Sequence, residues 1–178
     1  TGASTIFFNR RYEPESRDQE RRLEDLPGVE LDGSHDNLIS TPSGLRTQGG
    51  GYYRVFTPFY RSWRATPIEP WPQPGTATVT GHRGVEIPDS PSPIMEPGEL
   101  GAHNRLERFL EIVDDYKADR NRPDLDHTSH LSADLKFGTI SGRRIIEQVG
   151  TTTDGREAFI RQLAWRDFYA QILFHAPH

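Results

Sequence analysis

The sequence predicts two unlike parts: the end of a parallel, Rossmann-like α/β domain, then the start of an all-helical one (fold class α/β plus all-α). Three observations predict this. A strand–helix–strand pattern occupies residues 4–32. Nine of the 14 prolines fall within residues 58–97. Beyond Gly98 the apolar residues recur at helical spacing.

Ser4-Thr5-Ile6-Phe7-Phe8 is a short apolar, β-favouring run, so residues 4–9 are expected to form a strand. Residues 14–25 are expected to form a helix, because Pro14 suits a first turn and Glu15 lies at the favourable end of the dipole. Asp18/Arg22 and Arg21/Asp25 are spaced as i,i+4 charge pairs, and the helix is largely solvated. Pro27-Gly28 stops it, and Val29–Asp32 reads as a second strand. Short joints between these elements make a βαβ unit with a parallel sheet and a right-handed crossover. Two parallel strands do not make a stable sheet, so the chain reads as an internal piece of a longer protein, with further strands upstream. The plainer alternative is a small complete domain with ragged ends.

Ser34 to Gly51 is loop-like, and Gly49-Gly50-Gly51 reads as a flexible turn, since no Lys-Ser/Thr follows as a phosphate loop requires. Tyr52 to Tyr60 is densely aromatic and reads as a packing patch between two domains. Residues 58–97 are expected to be an irregular connection, because each proline removes a donor and fixes φ. Leu100, Leu106, Phe109, Leu110, Val113 and Tyr116 predict one helix over 99–119, broken by Arg122-Pro123. Ser141 suits the cap of a helix carrying Ile145, Ile146 and Val149. Asp154-Gly155-Arg156-Glu157 resembles a capping box for a last helix over 155–174, whose buried stripe includes Phe159, Ile160, Leu163, Ala164 and Phe168. The expected division is therefore 1–57, 58–97 and 98–178.

Composition bounds the function. The chain has 178 residues, 33% of them apolar, and a net charge of −5. No run of about 20 apolar residues exists to span a bilayer. There is no cysteine, which removes disulfides, thiolate metal sites and cysteine nucleophiles. The acidic balance argues against a generally basic nucleic-acid binder and leaves room for a local basic groove. His127 and His130 are three apart with no third ligand evident, so no metal site is expected.

Two constellations are candidates for chemistry. Gln162, Trp165, Arg166 and Tyr169 share one stripe of the last helix, where a flat aromatic beside an amide and a guanidinium suits a nucleobase. The competing reading is a core tryptophan with a solvated polar edge. Thr128-Ser129-His130-Leu131-Ser132 offers three hydroxyls near a helix start, which suits phosphate oxygens, against the competing reading of an ordinary capping loop.

Four stretches, in order, resemble the middle of DNA photolyases, members of the photolyase/cryptochrome family. They are Phe8–Pro14 with Arg17-Asp18, Tyr53–Phe59 with Trp63, Tyr116 to Ser132 with Arg120 and Arg122-Pro123, and Gln162–Tyr169. Only residues 66–97 have no clear counterpart. The resemblance implies a light-driven enzyme in which reduced FAD passes an electron to a cyclobutane pyrimidine dimer in DNA and receives it back. It implies that Tyr116, Thr128, Ser129, His130, Leu131, Ser132, Phe159 and Arg166 hold FAD. It implies further that Arg120 contacts DNA phosphate, that Trp165 stacks on the flipped-out dimer, and that Gln162, Arg166 and Tyr169 lie at the lesion. No catalytic residue is expected within residues 1–178, because the cofactor carries the chemistry.

The sequence departs from the family pattern at three places. Gln162 stands where Glu is frequent, His130 where Arg is common, and Pro14 where an Asn helps to hold a folate in some members. The antenna chromophore therefore stays open between a folate and a deazaflavin, and so does the photoproduct. The expected protein is cytoplasmic and monomeric, with damaged DNA as its partner and no membrane. Residues 1–178 alone are expected to bind FAD weakly or not at all and to repair nothing. Two other readings remain: a cryptochrome-type photoreceptor, and a non-enzymatic FAD- or nucleic-acid-binding module.

Overall fold

The structure is a computed structural model that describes residues 3–35, 37–68, 75, 76, 78, 81, 86 and 94–177. Half of the expected connection, residues 58–97, therefore lies outside the described residues.

The βαβ unit forms as expected. Strand β1 (Thr5–Asn9) pairs in parallel with β2 (Glu30–Ser34), in the register Thr5↔Glu30 to Asn9↔Ser34. Helix α1 (Pro14–Glu24) crosses between them, with Pro14 in its first turn and no buried residue. Its i,i+3 pair Asp18–Arg21 forms in place of the two expected i,i+4 pairs. On the outer side of β1, Phe7 is 75% exposed. Arg17 ties α1 to the far end of the chain: it donates to the Phe174 carbonyl at 2.6 Å and lies over that ring.

Helix α2 (Phe56–Ala65) corrects the expectation that regular structure is absent from residue 58 onward. Pro58 falls in the first turn, where a missing N–H costs nothing. Phe56, Phe59 and Trp63 share one face and are buried, so side-chain burial outweighs the proline signal. The turn at the glycine triplet is closed by Thr47 and Gly51 and by Gly50, whose φ of +79° suits glycine.

The expected helix over 99–119 is also corrected. Helix α3 (Gly98–Leu110) ends, a 3-10 turn (Val113–Asp115) follows, and α4 (Tyr116–Asp119) restarts. The break accommodates the last helix. A Cβ on Gly155 would lie 2.2 Å from the Asp114 carbonyl oxygen and 2.3 Å from that of Val113. Arg156 and Thr153 both bond the Asp114 carboxylate at 2.7 Å. The local periodicity favours one helix, and the approach of the next element cuts it.

Helices α5 (Ser132–Phe137) and α6 (Gly142–Val149) follow, the latter capped by Ser141, whose side chain accepts from Arg143 N–H. Helix α7 (Asp154–His175) is the axis of the core. Its N-cap is Thr153, which accepts from Arg156 N–H, so the expected Asp154 cap shifts by one residue. Phe159, Ile160, Leu163, Ala164 and Phe168 are buried against α2, α3 and α6.

Candidate functional site

Two features of α7 lie outside any apolar pattern: Asp167 and Gln171 are polar and buried. The Asp167 carboxylate accepts from the Trp63 indole N–H at 2.9 Å and from the backbone N–H of Ile39 (3.1 Å) and Ser40 (2.8 Å). Burial pushes its pKa up to about 6, against the pull of those donors. The Gln171 amide accepts from Tyr53 N–H at 3.1 Å and donates to the Tyr53 carbonyl at 2.8 Å. Neighbouring Arg166 donates to the Asn37 carbonyl and, at 2.9 Å, to that of Leu135. These three side chains bind the loop after β2 to α7, so buried backbone groups there are satisfied by side chains rather than by strands.

Beside this clasp lies a cleft of about 560 Å³. Thr128, Ser129, His130 and Ser132 form one wall, and Tyr116, Phe159, Gln162 and Arg166 line it from α4 and α7. Lys136 adds a second cation. Tyr116 meets Phe159 edge to face, with ring centroids 5.4 Å apart, and Phe109 packs behind both. Burial raises the Tyr116 hydroxyl above its ordinary pKa, which keeps it a neutral donor.

The hydroxyl loop has an unusual backbone. His130 has φ +52°, in the left-handed region that side chains other than glycine seldom adopt. Its Nε2 lies 2.5 Å from Asp126 Oδ1, and the buried Leu131 side chain anchors the turn. Strain of this kind persists where the surroundings over-determine it. Under the loop, Asp134 accepts from Nε and Nη2 of Arg105, at 2.9 and 2.7 Å, and from the Thr139 hydroxyl at 2.8 Å. Burial would raise the Asp134 pKa, but those hydrogen bonds outweigh it and hold the carboxyl below its ordinary value. Its charge is thereby matched at the base of the loop.

Of the expected residues, the cleft brings together Tyr116, Thr128, Ser129, His130, Ser132, Phe159, Gln162 and Arg166. Leu131 turns into the core, and Arg120 is exposed outside the cleft lining. Trp165 and Tyr169 are not in that lining. The Trp165 indole is half-buried and stacks on Phe56, with centroids 3.6 Å apart and planes within 6°. Tyr169 stacks on the same indole at 5.5 Å. Trp165 thus sits among aromatic rings, one turn from Gln162 and beside the cleft. Tyr169 lines a smaller adjoining cleft, about 240 Å³, that shares Lys136 and Arg166 with the first.

Asp167, Gln171 and Lys136 escaped the sequence reading. A signal existed for Asp167, a carboxylate set among Leu163, Ala164 and Phe168 on the apolar stripe. Another cleft, about 490 Å³, lies between α1 and the end of α7, where arginines alternate with Asp18, Glu20 and Glu24. It lacks a hydroxyl loop.

The DNA photolyase family model matches residues 1–75. A deoxyribodipyrimidine photo-lyase of Halobacterium salinarum is 32% identical over 97% of this chain and 41% of its own length. The chain is similar to DNA photolyases over nearly its whole length. Among solved structures, a bacterial class III photolyase from Agrobacterium tumefaciens superposes with TM-score 0.80 at 29% identity, over 99% of this chain and 42% of that one. A cryptochrome from Synechocystis superposes with TM-score 0.74 at 22% identity, over 97% of this chain and 42% of that one, and shows the shared fold. The chain spans about two fifths of the length of the curated photolyases it matches. No described helix is long and apolar enough to cross a membrane.

Proposed function

We propose that this chain is the middle part of a light-driven, FAD-dependent deoxyribodipyrimidine photolyase that repairs cyclobutane pyrimidine dimers in DNA. Residues 1–57 would end its α/β domain, 58–97 would connect, with α2 crossing the 57/58 boundary, and 98–178 would begin its FAD- and DNA-binding domain. One observation carries the reading: the hydroxyl loop shares a single cleft with Phe159, Gln162 and Arg166 of α7, and Lys136 adds a second cation to its wall.

The donor set fits a flavin dinucleotide. Thr128, Ser129 and Ser132 present hydroxyls to a diphosphate, and Lys136 and Arg166 add positive charge. Asp134 does not oppose an anion, because Arg105 neutralises it. Tyr116 and Phe159 give a flat ring system apolar surfaces to lie against. When bound, FAD supplies the photochemical electron transfer. The protein's own work is to orient and to exclude water.

Gln162 can both donate to and accept from a pyrimidine edge, without offering charge. Its position between the hydroxyl loop and Trp165 suits a base lying against the cofactor. Phe56 fixes the plane of the Trp165 indole, so a stacking surface there costs little ordering entropy on binding. Tyr169 extends the aromatic strip, and Arg120 is assigned to backbone phosphate.

The test uses the full-length protein, FAD and oligothymidine carrying pre-formed dimers. Blue light should restore the intact thymines. No repair, with a light-dependent conformational change instead, would mark a photoreceptor and reject the repair reading. Trp165→Ala should weaken binding of dimer-containing DNA by about 1–3 kcal/mol, the usual loss of one stacked base. Unchanged affinity would remove Trp165 from the lesion site.

A further inference from the structure

Residues 37–68 contain four arginines and no aspartate or glutamate, in a chain that carries 26 acidic residues. The structure shows where this charge goes. On α2 the aromatic side chains Phe56, Phe59 and Trp63 point into the core, and Arg61 and Arg64 are exposed on the outer side. Arg54, just before the helix, lies over the Tyr52 ring at 5.2 Å. Arg161 of α7 reaches across to lie over Phe56 at 5.2 Å and Tyr60 at 5.1 Å.

Ring faces hold a guanidinium in place without cancelling its charge. Elsewhere on the described surface several cations are matched by acids, among them Lys117 with Asp154, Arg122 with Asp124 and Arg144 with Glu147, whereas Arg22, Arg108 and Arg120 have no carboxylate partner among the described residues. On the α2 face only Arg64 is so matched, by Glu157 at 3.1 Å. Arg54, Arg61 and Arg161 have no carboxylate partner among the described residues. This concentration of unmatched charge adjoins the candidate lesion site through a shared contact, because the Phe56 ring beneath Arg161 is the one stacked on Trp165.

We propose that the outer face of α2, with Arg54, Arg61 and Arg161, is a track for the sugar–phosphate backbone of the DNA strand whose damaged bases lie at Trp165. The inference rests on the repair reading and adds to it a contact surface. The occupant is a polyanion, because the face offers three positive charges without carboxylate partners, two of them held over rings. Guanidiniums held over rings are already ordered, so phosphates meet them with little loss of side-chain freedom.

The experiment measures affinity of the full-length protein for labelled single-stranded oligothymidine, with and without a dimer, across a series of salt concentrations. Replacing Arg54, Arg61 and Arg161 together by Gln should weaken both DNAs alike. It should also flatten the dependence of log affinity on log salt by roughly 0.7 for each arginine removed. The double variant Arg54→Gln/Arg61→Gln, which leaves Arg161 on its rings, should show the same effect in proportion. The control Lys117→Gln/Arg144→Gln, which removes two matched cations, should leave the slope as it was. A salt slope unchanged in the triple variant, or lowered equally by the control, would overturn the track. Light-driven repair is read separately at saturating DNA and low salt: its absence in the unmodified protein rejects the repair reading, whereas an unchanged salt slope with repair intact rejects only the track.

Discussion

Asp134 and Asp167 are both buried carboxylates, one beneath the hydroxyl loop and one beneath the loop after β2, and they are stabilised in opposite ways. Asp134 has a cation, the two-pronged Arg105 guanidinium. Asp167 has dipoles: an indole N–H and two backbone N–H groups. A paired charge lowers a carboxyl pKa, whereas at Asp167 burial raises it by more than the neutral donors lower it. The difference separates two roles. The first region carries charge balance under a proposed anion site, and the second carries backbone satisfaction for an irregular loop.

The largest expected effect breaks the first region. Arg105→Met strands a buried carboxylate and should cost about 3–5 kcal/mol in urea unfolding. The double variant Arg105→Met/Asp134→Leu should recover most of that loss. If Arg105→Met alone costs less than the double variant, the pair is not the source of stability.

The next effect separates the two carboxylates by pH. Asp167 titrates at about 6 in the folded chain and near its ordinary value when unfolded, so folding takes up protons between. Its contribution is complete below about pH 4 and is lost as pH rises through 6, a change of about 3 kcal/mol. Asp134 runs the other way: its contribution is present above its ordinary pKa and lost as pH falls through the depressed one. Asp167→Asn keeps one acceptor oxygen and cannot ionise. The difference in unfolding free energy between wild type and this variant should therefore change steadily from pH 4 to 7. A constant difference would mean that Asp167 does not titrate in that range.

The smallest effect sharpens the second region alone. Gln171→Leu leaves the Tyr53 N–H and carbonyl without their partner and should cost about 2 kcal/mol, with no pH dependence. A cost that varied between pH 4 and 7 would couple Gln171 to the Asp167 carboxylate rather than to the Tyr53 backbone.

Much of this was legible in the residues. Pro14 and Pro27-Gly28 bracketed α1, Ser141 capped α6, and the spacing of Phe159, Leu163 and Phe168 marked α7. The hydroxyls at 128, 129 and 132 and the polar pair Gln162 and Arg166 of α7 were legible as a candidate site, because they are local patterns of residue type, and they line one cleft. Trp165 was legible as a candidate, but its partner Phe56 was not, since 109 residues separate them. Pro58 misled the reading of α2, because proline density says nothing about a buried face within the same segment.

By itself the sequence determined most element types, most boundaries and which residues bring hydroxyl, amide, guanidinium and aromatic groups to the candidate site. These follow from backbone preference and side-chain periodicity, which act over a few residues. Only the tertiary structure decided where α3 stops, how the loop after β2 is held and which cations go unmatched. Those outcomes depend on groups distant in the chain: Gly155 against the Val113 and Asp114 carbonyls, Asp167 against Trp63 and Ile39, Arg161 over Phe56. A buried donor must find its acceptor wherever packing places one, and no local pattern records that place.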